Sequence, residues 1–223
     1  MNYIFDFSFL AEGIWPLLEG LKTTLLLALG ANVLGLTVGF VVCLMAMAPL
    51  WVIRLPAKLF IEFFRCTPVL IQVVWFFYCV PILFNVFLDP ITMGVLALGL
   101  NLIAFNAEAY RAGIQSVPKE HHDACVALGL GPWIKTVHVI FPQALRNAIP
   151  VLMTNGITIL QQSALVAIVA VADLMYAGKI LATDTYRPLE VYTTVAVIYF
   201  LMSLPISQVV TYLERRQDVS VER

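Results

Sequence analysis

The stretch from Asn106 to Arg146 reads NAEAYRAGIQSVPKEHHDACVALGLGPWIKTVHVIFPQALR, and it is polar and helix-forming inside a chain that is otherwise almost entirely apolar. Hydrophobic residues make up 61% of the 223 residues and charged residues only 12%, whereas soluble domains are about half apolar and a quarter charged. A polar hairpin between apolar segments needs something to bind. We interpret it as the attachment point for a soluble partner protein that acts on the apolar part of the chain, which we expect to lie in a membrane.

The charged residues are separated by five uncharged runs: Thr23–Ile53, Cys66–Leu88, Pro90–Ala107, Asn147–Ala172 and Val191–Leu213. A helix needs roughly 17–25 apolar residues to cross the hydrocarbon core of a bilayer, and each run is long enough. The first run is longer, so we expect it to contain a tilted span and an interfacial stretch. The sequence predicts an all-α polytopic protein, a single transmembrane domain over residues 1–223, with spans at roughly 20–48, 60–84, 90–112, 144–172 and 190–214.

The distribution of cations predicts the orientation of these spans. Five spans place the two termini on opposite sides, and the positive-inside bias puts Lys and Arg on the cytoplasmic side. With the N-terminus outside and the C-terminus in the cytoplasm, ten of the 13 Lys and Arg residues are inside. They are Arg54, Lys58, Arg65, Arg111, Lys119, Lys135, Arg146, Arg215, Arg216 and Arg223. Residues 113–143 are then a cytoplasmic segment, and Asp173–Glu190 is predicted to be an outer loop.

The cytoplasmic segment is predicted to form a helical hairpin. Ser116 is expected to cap a first helix that begins at Val117-Pro118, and Gly129 is expected to end it. Pro132 allows a second helix that leads to Phe141-Pro142. The first helix has an apolar face of small residues, which consists of Ala124, Cys125, Ala127 and Leu128. This face either enters a groove of another protein or packs against the inner surface of the same chain.

The second span opens with Phe64-Arg65-Cys66-Thr67-Pro68. Proline removes an amide donor and leaves a carbonyl upstream without its helical partner. At membrane depth such a backbone group survives only where protein or a water-filled cavity satisfies it. The break is therefore either a simple kink or a kink that lines a translocation pathway. If the kink lines a translocation pathway, Thr67 and Gln72 are candidate pathway residues.

Two other spans carry residues that indicate helix contacts. The first span contains three glycines, Gly30, Gly35 and Gly39, which would allow a neighbouring helix to approach closely. The fourth span contains polar residues at membrane depth: Asn155, Thr158, Gln161, Gln162 and Ser163. Adjacent amides are unfavourable in hydrocarbon without partners. Contact with a neighbouring helix and contact with a substrate both remain open for them, and Gln161, Gln162 and Ser163 are the further pathway candidates.

The hairpin resembles the cytoplasmic signature of the membrane subunits of ATP-binding-cassette importers. That signature reads Glu-Ala-Ala, three residues, Gly, nine residues, Ile, any residue and Leu-Pro. Here it is Asp123-Ala124-Cys125, Gly129, Val139 and Phe141-Pro142, with the spacing intact and with conservative substitutions. The resemblance implies that Asp123, Ala124, Cys125, Gly129 and Pro142 couple the chain to an ATPase.

Most of the chain is similar to permeases for polar amino acids, the histidine, glutamine and glutamate permease-like members of the type I importers. Phe64–Pro68 resembles their Arg-Gly-Thr-Pro, and Glu108 and Arg111 match their Glu-x-x-Arg. Gly113–Pro118 and Ile140–Arg146 match two further motifs, Gly-Ile-Gln-x-Val-Pro and Ile-Leu-Pro-Gln-Ala-Leu-Arg. The resemblance implies an integral protein of the bacterial inner membrane that forms half of a translocation pathway.

The partners that the resemblance implies are a second permease subunit, identical or different, an ATP-binding subunit dimer, an extracytoplasmic solute-binding protein and an amino acid, with no nucleic acid. The chain has no G-x-x-x-x-G-K-[ST] loop, which is the loop that cradles nucleotide phosphates. We therefore predict a non-catalytic subunit without a cofactor of its own, and Mg-ATP bound by the partner. His121 and His122 are adjacent and His138 is separate, so no metal site is predicted.

The substrate prediction depends on the fourth span. Many relatives have Lys-Asp-Thr-Ser where this chain has Gln161-Gln162-Ser163-Ala164, and an acid there would attract a cationic ligand. The neutral Gln162 favours an acidic or amide amino acid, such as glutamate, aspartate or glutamine. A pathway partner could supply the charge instead, or this subunit could lack a substrate site.

The rival function is a secondary amino acid transporter without an ATPase, which should show inverted repeats and intramembrane acids; we find neither in the sequence.

Overall fold

The computed structural model describes residues 10–221, with side chains for residues 13–215. Within that range all regular secondary structure is helical, as the sequence predicts. In chain order the helices are α1 (Leu10–Met47), α2 (Trp51–Cys66), α3 (Val69–Phe84), α4 (Pro90–Gln115), α5 (Lys119–Ala127), α6 (Pro132–Ile134), α7 (Phe141–Gln162), α8 (Leu174–Thr185) and α9 (Pro188–Val221). A π-helical turn, Lys135–Ile140, joins α6 to α7, and a 3-10 helix, Ser163–Val169, follows α7.

Four helical segments of the described residues are long and apolar enough to cross a membrane. They are Gly13–Met47, Pro90–Gln115, Pro132–Val169 and Pro188–Arg215. The pair formed by α2 and α3 supplies a fifth span when it is counted as one segment, and its two halves meet at 107°. The prediction of an all-α membrane protein is confirmed, and the bend lies where the sequence places it.

The centre of the bundle is the contact between α1 and α4. The glycines of α1 lie along this contact: a Cβ atom at Gly39 would come within 3.1 Å of the carbonyl oxygen of Ile103, and one at Gly35 would meet the side chain of Leu102. Because neither glycine has a side chain, the two backbones approach closely, which confirms the prediction for this span. The main core is built here from α1, α3, α4 and α7, and it includes Leu27, Ala31, Val73, Leu98, Leu102 and Ile159.

The helix that contains the predicted fourth span begins before that span. Its helical segment starts at Pro132 and continues through the π turn to Val169, so the second arm of the predicted hairpin is not a separate helix. The segment has 38 residues, about 57 Å at 1.5 Å per residue, whereas the hydrocarbon core is about 30 Å thick. One end of this segment therefore projects well beyond the bilayer. The short helix α5 lies beside that projecting end and contacts the π turn.

The predicted role of Ser116 is wrong. Ser116 ends α4 and does not cap α5: its N–H donates to the carbonyl of Ala112 at 2.9 Å, and its hydroxyl donates to the carbonyl of Gly113 at 2.9 Å. The same hydroxyl accepts a hydrogen bond from Nδ2 of Asn147 at 2.8 Å. The hydroxyl is therefore used to join α4 to α7, and α5 starts after Pro118 without a side-chain cap.

The segment between the fourth and fifth spans, which the sequence predicts to be an outer loop, is helical over Leu174–Thr185. Asp173 caps α8, because its Oδ1 accepts a hydrogen bond from the N–H of Tyr176 at 2.8 Å. The next N–H, that of Leu174, donates to Oγ1 of Thr24 at 3.1 Å and so fastens α8 to α1. The side chain of Asp173 is fully buried, and its Oδ2 has no partner.

We predict that Asp173 makes the stability of the fold depend on pH. Burial raises the pKa of its carboxyl group from 3.8 to about 6, so the folded chain holds this proton more tightly than the unfolded chain. The contribution to stability is therefore greatest below about pH 4 and is lost as the pH rises through about 6. Asp173→Asn keeps a capping oxygen and removes the titration.

Thermal unfolding of the purified protein from pH 4.5 to 7.5 measures this effect. The melting temperature of the wild type should fall with rising pH relative to that of Asp173→Asn. Asp89→Asn is the matched control, because Asp89 caps α4 but is exposed, and hydrogen bonds from Thr92 lower the pKa of its carboxyl group. Equal slopes for the wild type and Asp173→Asn would contradict the prediction.

Candidate translocation and coupling sites

The break between α2 and α3 is set by Pro68. Proline has no N–H to donate to the carbonyl of Phe64, and the residue before a proline is driven toward an extended conformation. Thr67 accordingly has φ −105° and ψ 139°. The chain leaves the helix at Cys66 and enters the next helix at Val69.

The carbonyl groups freed at this break are bonded by side chains. Nε2 of Gln72 donates to the carbonyl of Phe64 at 2.9 Å, to the carbonyl of Thr67 at 3.0 Å and to Oγ1 of Thr67 at 2.7 Å. Nδ2 of Asn101 on α4 donates to the same Phe64 carbonyl at 3.1 Å, and the Thr67 hydroxyl donates to the carbonyl of Phe63 at 2.8 Å. Thr67 and Gln72, both pathway candidates, thus lie together at the break.

A cavity of about 170 Å³ with both apolar and polar lining residues lies beside the break, between α4 and α7. Its lining consists of Asn101, Leu102, Phe105, Asn155, Thr158, Ile159 and Gln162. Three of these residues carry amide groups and one carries a hydroxyl, while none carries a charge. Asn101 belongs both to the break and to the cavity. Asn101 was not predicted as a site residue, although the two asparagines of the apolar run Pro90–Ala107, Asn101 and Asn106, were a usable signal.

The other pathway candidates on α7 are divided by the structure. Gln162 lines the cavity, whereas its neighbour Gln161 is exposed and lies outside the lining. Ser163 is buried, and its hydroxyl donates to the carbonyl of Leu160 at 2.7 Å at the start of the 3-10 helix. Among the candidates, Gln162 is thus brought near Thr67 and Gln72 through Asn101, and Gln161 and Ser163 are not.

The amide pair between α4 and α7 shows that part of the polar surface serves to hold helices together. Nδ2 of Asn155 donates to Oδ1 of Asn106 at 3.0 Å, and Asn106 is fully buried. Asn155 therefore bonds a neighbouring helix and also lines the cavity, whereas Gln162 lines the cavity without a helix contact of that kind.

Residues 113–143, which we call the coupling segment, lead into the N-terminal part of α7. Their first helix, α5, ends just before Gly129, as predicted. Gly129 has φ +66°, a left-handed conformation that glycine adopts without strain. The N–H of Leu130 donates to the carbonyl of Cys125 at 3.0 Å, and that of Gly129 donates to the carbonyl of Val126 at 3.0 Å. These two bonds form the Schellman motif that satisfies the last carbonyls of a helix.

The apolar surface of the coupling segment is only partly covered. Cys125 is buried, but the other small residues of the predicted face are exposed, and so are Asp123, Gly129 and Pro142. Four larger apolar side chains near Gly129 are also exposed, and we call them the coupling patch: Val126 (67%), Leu128 (76%), Trp133 (75%) and Ile134 (48%). Cys125 packs against this chain, and the coupling patch is exposed.

An ion pair lies near the C-terminal end of α4. Nε of Arg111 donates to Oε2 of Glu108 at 2.9 Å, and Nη2 of Arg111 contacts Oε1 of the same carboxylate. Nη1 of Arg111 donates to Oε1 of Gln115 at 2.6 Å. The three side chains form a ladder along one face of α4.

Comparison with known proteins decides the family. Residues 31–219 match the family described as the inner membrane component of binding-protein-dependent transport systems. This chain is a member of that family. The match covers the bend at Pro68, the cavity and the coupling segment.

Curated relatives of this permease have similar length. It is 34% identical to the glutamine transport system permease protein GlnP of Escherichia coli K12, over 96% of the chain and 99% of the relative. It is 31% identical to the glutamate/aspartate import permease protein GltK of Escherichia coli O157:H7, over 96% of the chain and 99% of the relative.

Solved structures give the same result. A crystal structure of an amino acid ABC transporter with histidines matches with a TM-score of 0.89 and 34% identity, over 96% of the permease and all of the compared chain. The methionine ABC transporter MetNI in an inward-facing conformation matches with a TM-score of 0.64 at 18% identity. At this identity the match shows a similar fold and nothing more.

We predict that Gln72 holds the break in place. Gln72→Leu fills a similar volume but removes the hydrogen bonds from Nε2 to the carbonyls of Phe64 and Thr67, and such a bond contributes about 0.5–1.5 kcal/mol net. The permease should therefore melt at a lower temperature. Gln161→Leu is the matched control, since Gln161 is exposed and should leave the melting temperature nearly unchanged. Equal melting temperatures for the two variants would show that the network at Pro68 is dispensable.

Proposed function

We propose that the chain is the membrane permease subunit of an ATP-driven importer for polar amino acids, and that it forms half of the translocation pathway. The family match, the likeness to amino acid permeases over nearly the whole chain and the cavity beside the Pro68 break support this function. The substrate is an acidic or amide amino acid, such as glutamate, aspartate or glutamine.

The uncharged lining of the cavity supports this substrate class. A cationic side chain in a low-dielectric site needs a counterion, and the cavity offers only amides and a hydroxyl, from Asn101, Asn155, Thr158 and Gln162. Amide groups both donate and accept hydrogen bonds, so they suit a carboxamide or carboxylate side chain. Gln162 stands where many relatives have an acid, and this is the single observation on which the substrate depends.

ATP hydrolysis belongs to a separate ATP-binding subunit, and the coupling is mechanical. The coupling patch and α5 dock on that subunit, with Asp123, Ala124, Cys125, Gly129 and Pro142 as the coupling residues. Trp133 and Ile134 of the patch lie on the same continuous helical segment as Gln162. A displacement of the docked end is therefore transmitted to the cavity as a rigid-body movement.

The remaining parts of the assembly follow from the family and the cation bias. The N-terminus lies outside and the C-terminus lies in the cytoplasm, in the inner membrane of a bacterium. A second permease subunit completes the pathway, and a solute-binding protein delivers the amino acid from the outer side. Mg-ATP is bound by the ATPase and not by this chain.

The first experiment measures uptake of labelled glutamate, glutamine and arginine by the reconstituted importer. The wild type should prefer glutamate or glutamine to arginine. Gln162→Asp should raise arginine uptake about tenfold relative to glutamate uptake, because it places a negative charge beside the cavity. Gln161→Asp adds the same charge at an exposed neighbour and should leave the preference unchanged. Robust arginine preference in the wild type that depends on Gln162 would refute the substrate assignment.

A second experiment tests coupling at two glycines. Gly129→Val places a β-branched side chain at φ +66°, which costs roughly 1–2 kcal/mol and distorts the turn below α5. Gly131→Val adds the same side chain where φ is −60° and no atom lies within 4 Å. Uptake and retention of the ATPase in a pull-down should fall for Gly129→Val and persist for Gly131→Val.

Charge reversal at the exposed Asp123 should weaken ATPase retention as well. Full retention and normal uptake with both Asp123→Lys and Gly129→Val would contradict coupling through this segment. Uptake that continues without ATP would favour a secondary transporter.

A further inference from the structure

A charged cleft lies away from the cavity beside the Pro68 break, at the end of the bundle that carries the coupling segment. It has a volume of about 530 Å³ and is bounded by the end of α1, by α2 and by the end of α4. Its lining consists of Ala46, Met47, Arg54, Lys58, Ile61, Glu62, Glu108, Arg111 and Gln115. Three cations and two carboxylates therefore face one space.

The lining carries one cation more than it has carboxylates. Arg111 forms an ion pair with Glu108, and Arg65 lies 4.0 Å from Glu62. Within residues 13–215, neither Arg54 nor Lys58 has a carboxylate at ion-pair distance, although Lys58 is near enough to Glu108 to interact with it electrostatically. Both are exposed side chains. The cleft thus carries a net positive charge.

The arrangement of α2 indicates what lies in front of these cations. At about 100° per residue, the stripe with Arg54, Lys58 and Glu62 falls between two apolar faces. One face is buried in the bundle, at Ala57 and Ile61. The other is open and carries Leu55, Leu59 and Phe63, which are 47%, 61% and 60% exposed.

A helix with an open apolar face beside a cationic stripe is typical of a membrane interface, where the apolar face contacts acyl chains and the stripe lies at headgroup level. A cleft between helices with basic residues at that level suits a lipid phosphate. A pathway for a soluble substrate would not need the adjacent open apolar face.

We propose that this cleft is a binding site for the phosphate headgroup of an anionic phospholipid, held by Arg54 and Lys58 in the leaflet on the coupling side. The acyl chains lie along Leu55, Leu59 and Phe63. The site rests on the proposed function only in that the chain is embedded in a membrane. Because the cleft is bounded by α2 and α4, a bound lipid fixes the two helices that the Phe64 carbonyl also joins.

The test uses the complete transporter in phosphatidylcholine nanodiscs that contain a graded fraction of phosphatidylglycerol. After exchange into detergent, mass spectrometry counts the phosphatidylglycerol molecules that each transporter retains. The double variant Arg54→Gln/Lys58→Gln should hold phosphatidylglycerol about 25-fold more weakly, since each cation near an anionic surface contributes about fivefold. Lys22→Gln/Lys179→Gln is the matched control: it removes two exposed cations elsewhere and should retain the lipid as the wild type does.

Two outcomes overturn the proposal. Equal retention by the two double variants would show that the cleft holds no lipid. Displacement of phosphatidylglycerol by soluble glycerol phosphate or inorganic phosphate at low concentration would identify a site for a free anion. ATP-driven uptake measured on the same preparations keeps the two questions apart, because lipid retention does not depend on which substrate is carried or on whether ATP drives it.

Discussion

The missing N–H of Pro68 is the constraint on which the rest of this structure depends. In hydrocarbon a free carbonyl is strongly unfavourable, so the Phe64 carbonyl must be bonded by side chains. Gln72 and Asn101 bond it. Once those amides are buried beside the break, Asn101 is in position to shape the cavity that Gln162 completes. A single backbone requirement thus fixes the bend, the position of α4 and the polar character of the site.

The helices of this chain are held together by a close glycine contact and by a few polar bonds. The α1–α4 contact is close because glycines replace side chains along it, and amide and hydroxyl bonds join α4 to α7. The end of the bundle at α8 is fastened differently, through the buried cap of Asp173 and the hydroxyl of Thr24. The bundle therefore combines a tightly packed centre with polar fastenings, while the faces of α2 and α9 remain open to lipid or to other subunits.

The sequence was informative where composition or backbone chemistry acts alone. The spans followed from uncharged runs, the break from Pro68 and the end of α5 from Gly129. Ser116 was misassigned because a serine caps either the helix that follows or the one that precedes it, and only the position of Asn147 decides. Whether Gln161 or Gln162 faces the cavity depends on how α7 is rotated against α4, which no periodicity in an apolar helix reveals. Asn101 was missed because its partner lies 37 residues away.

The π-helical turn at Lys135–Ile140 has a consequence for how the two ends of the long segment move. Its wide geometry leads directly into Phe141-Pro142, and the N–H of Phe141 donates to the carbonyl of Thr136, five residues back. A π turn holds about one residue more than an α turn. Loss of that extra residue would rotate Trp133 by about 100° relative to the part of the segment that follows, so the facing of Trp133 toward any neighbour depends on the π geometry being kept.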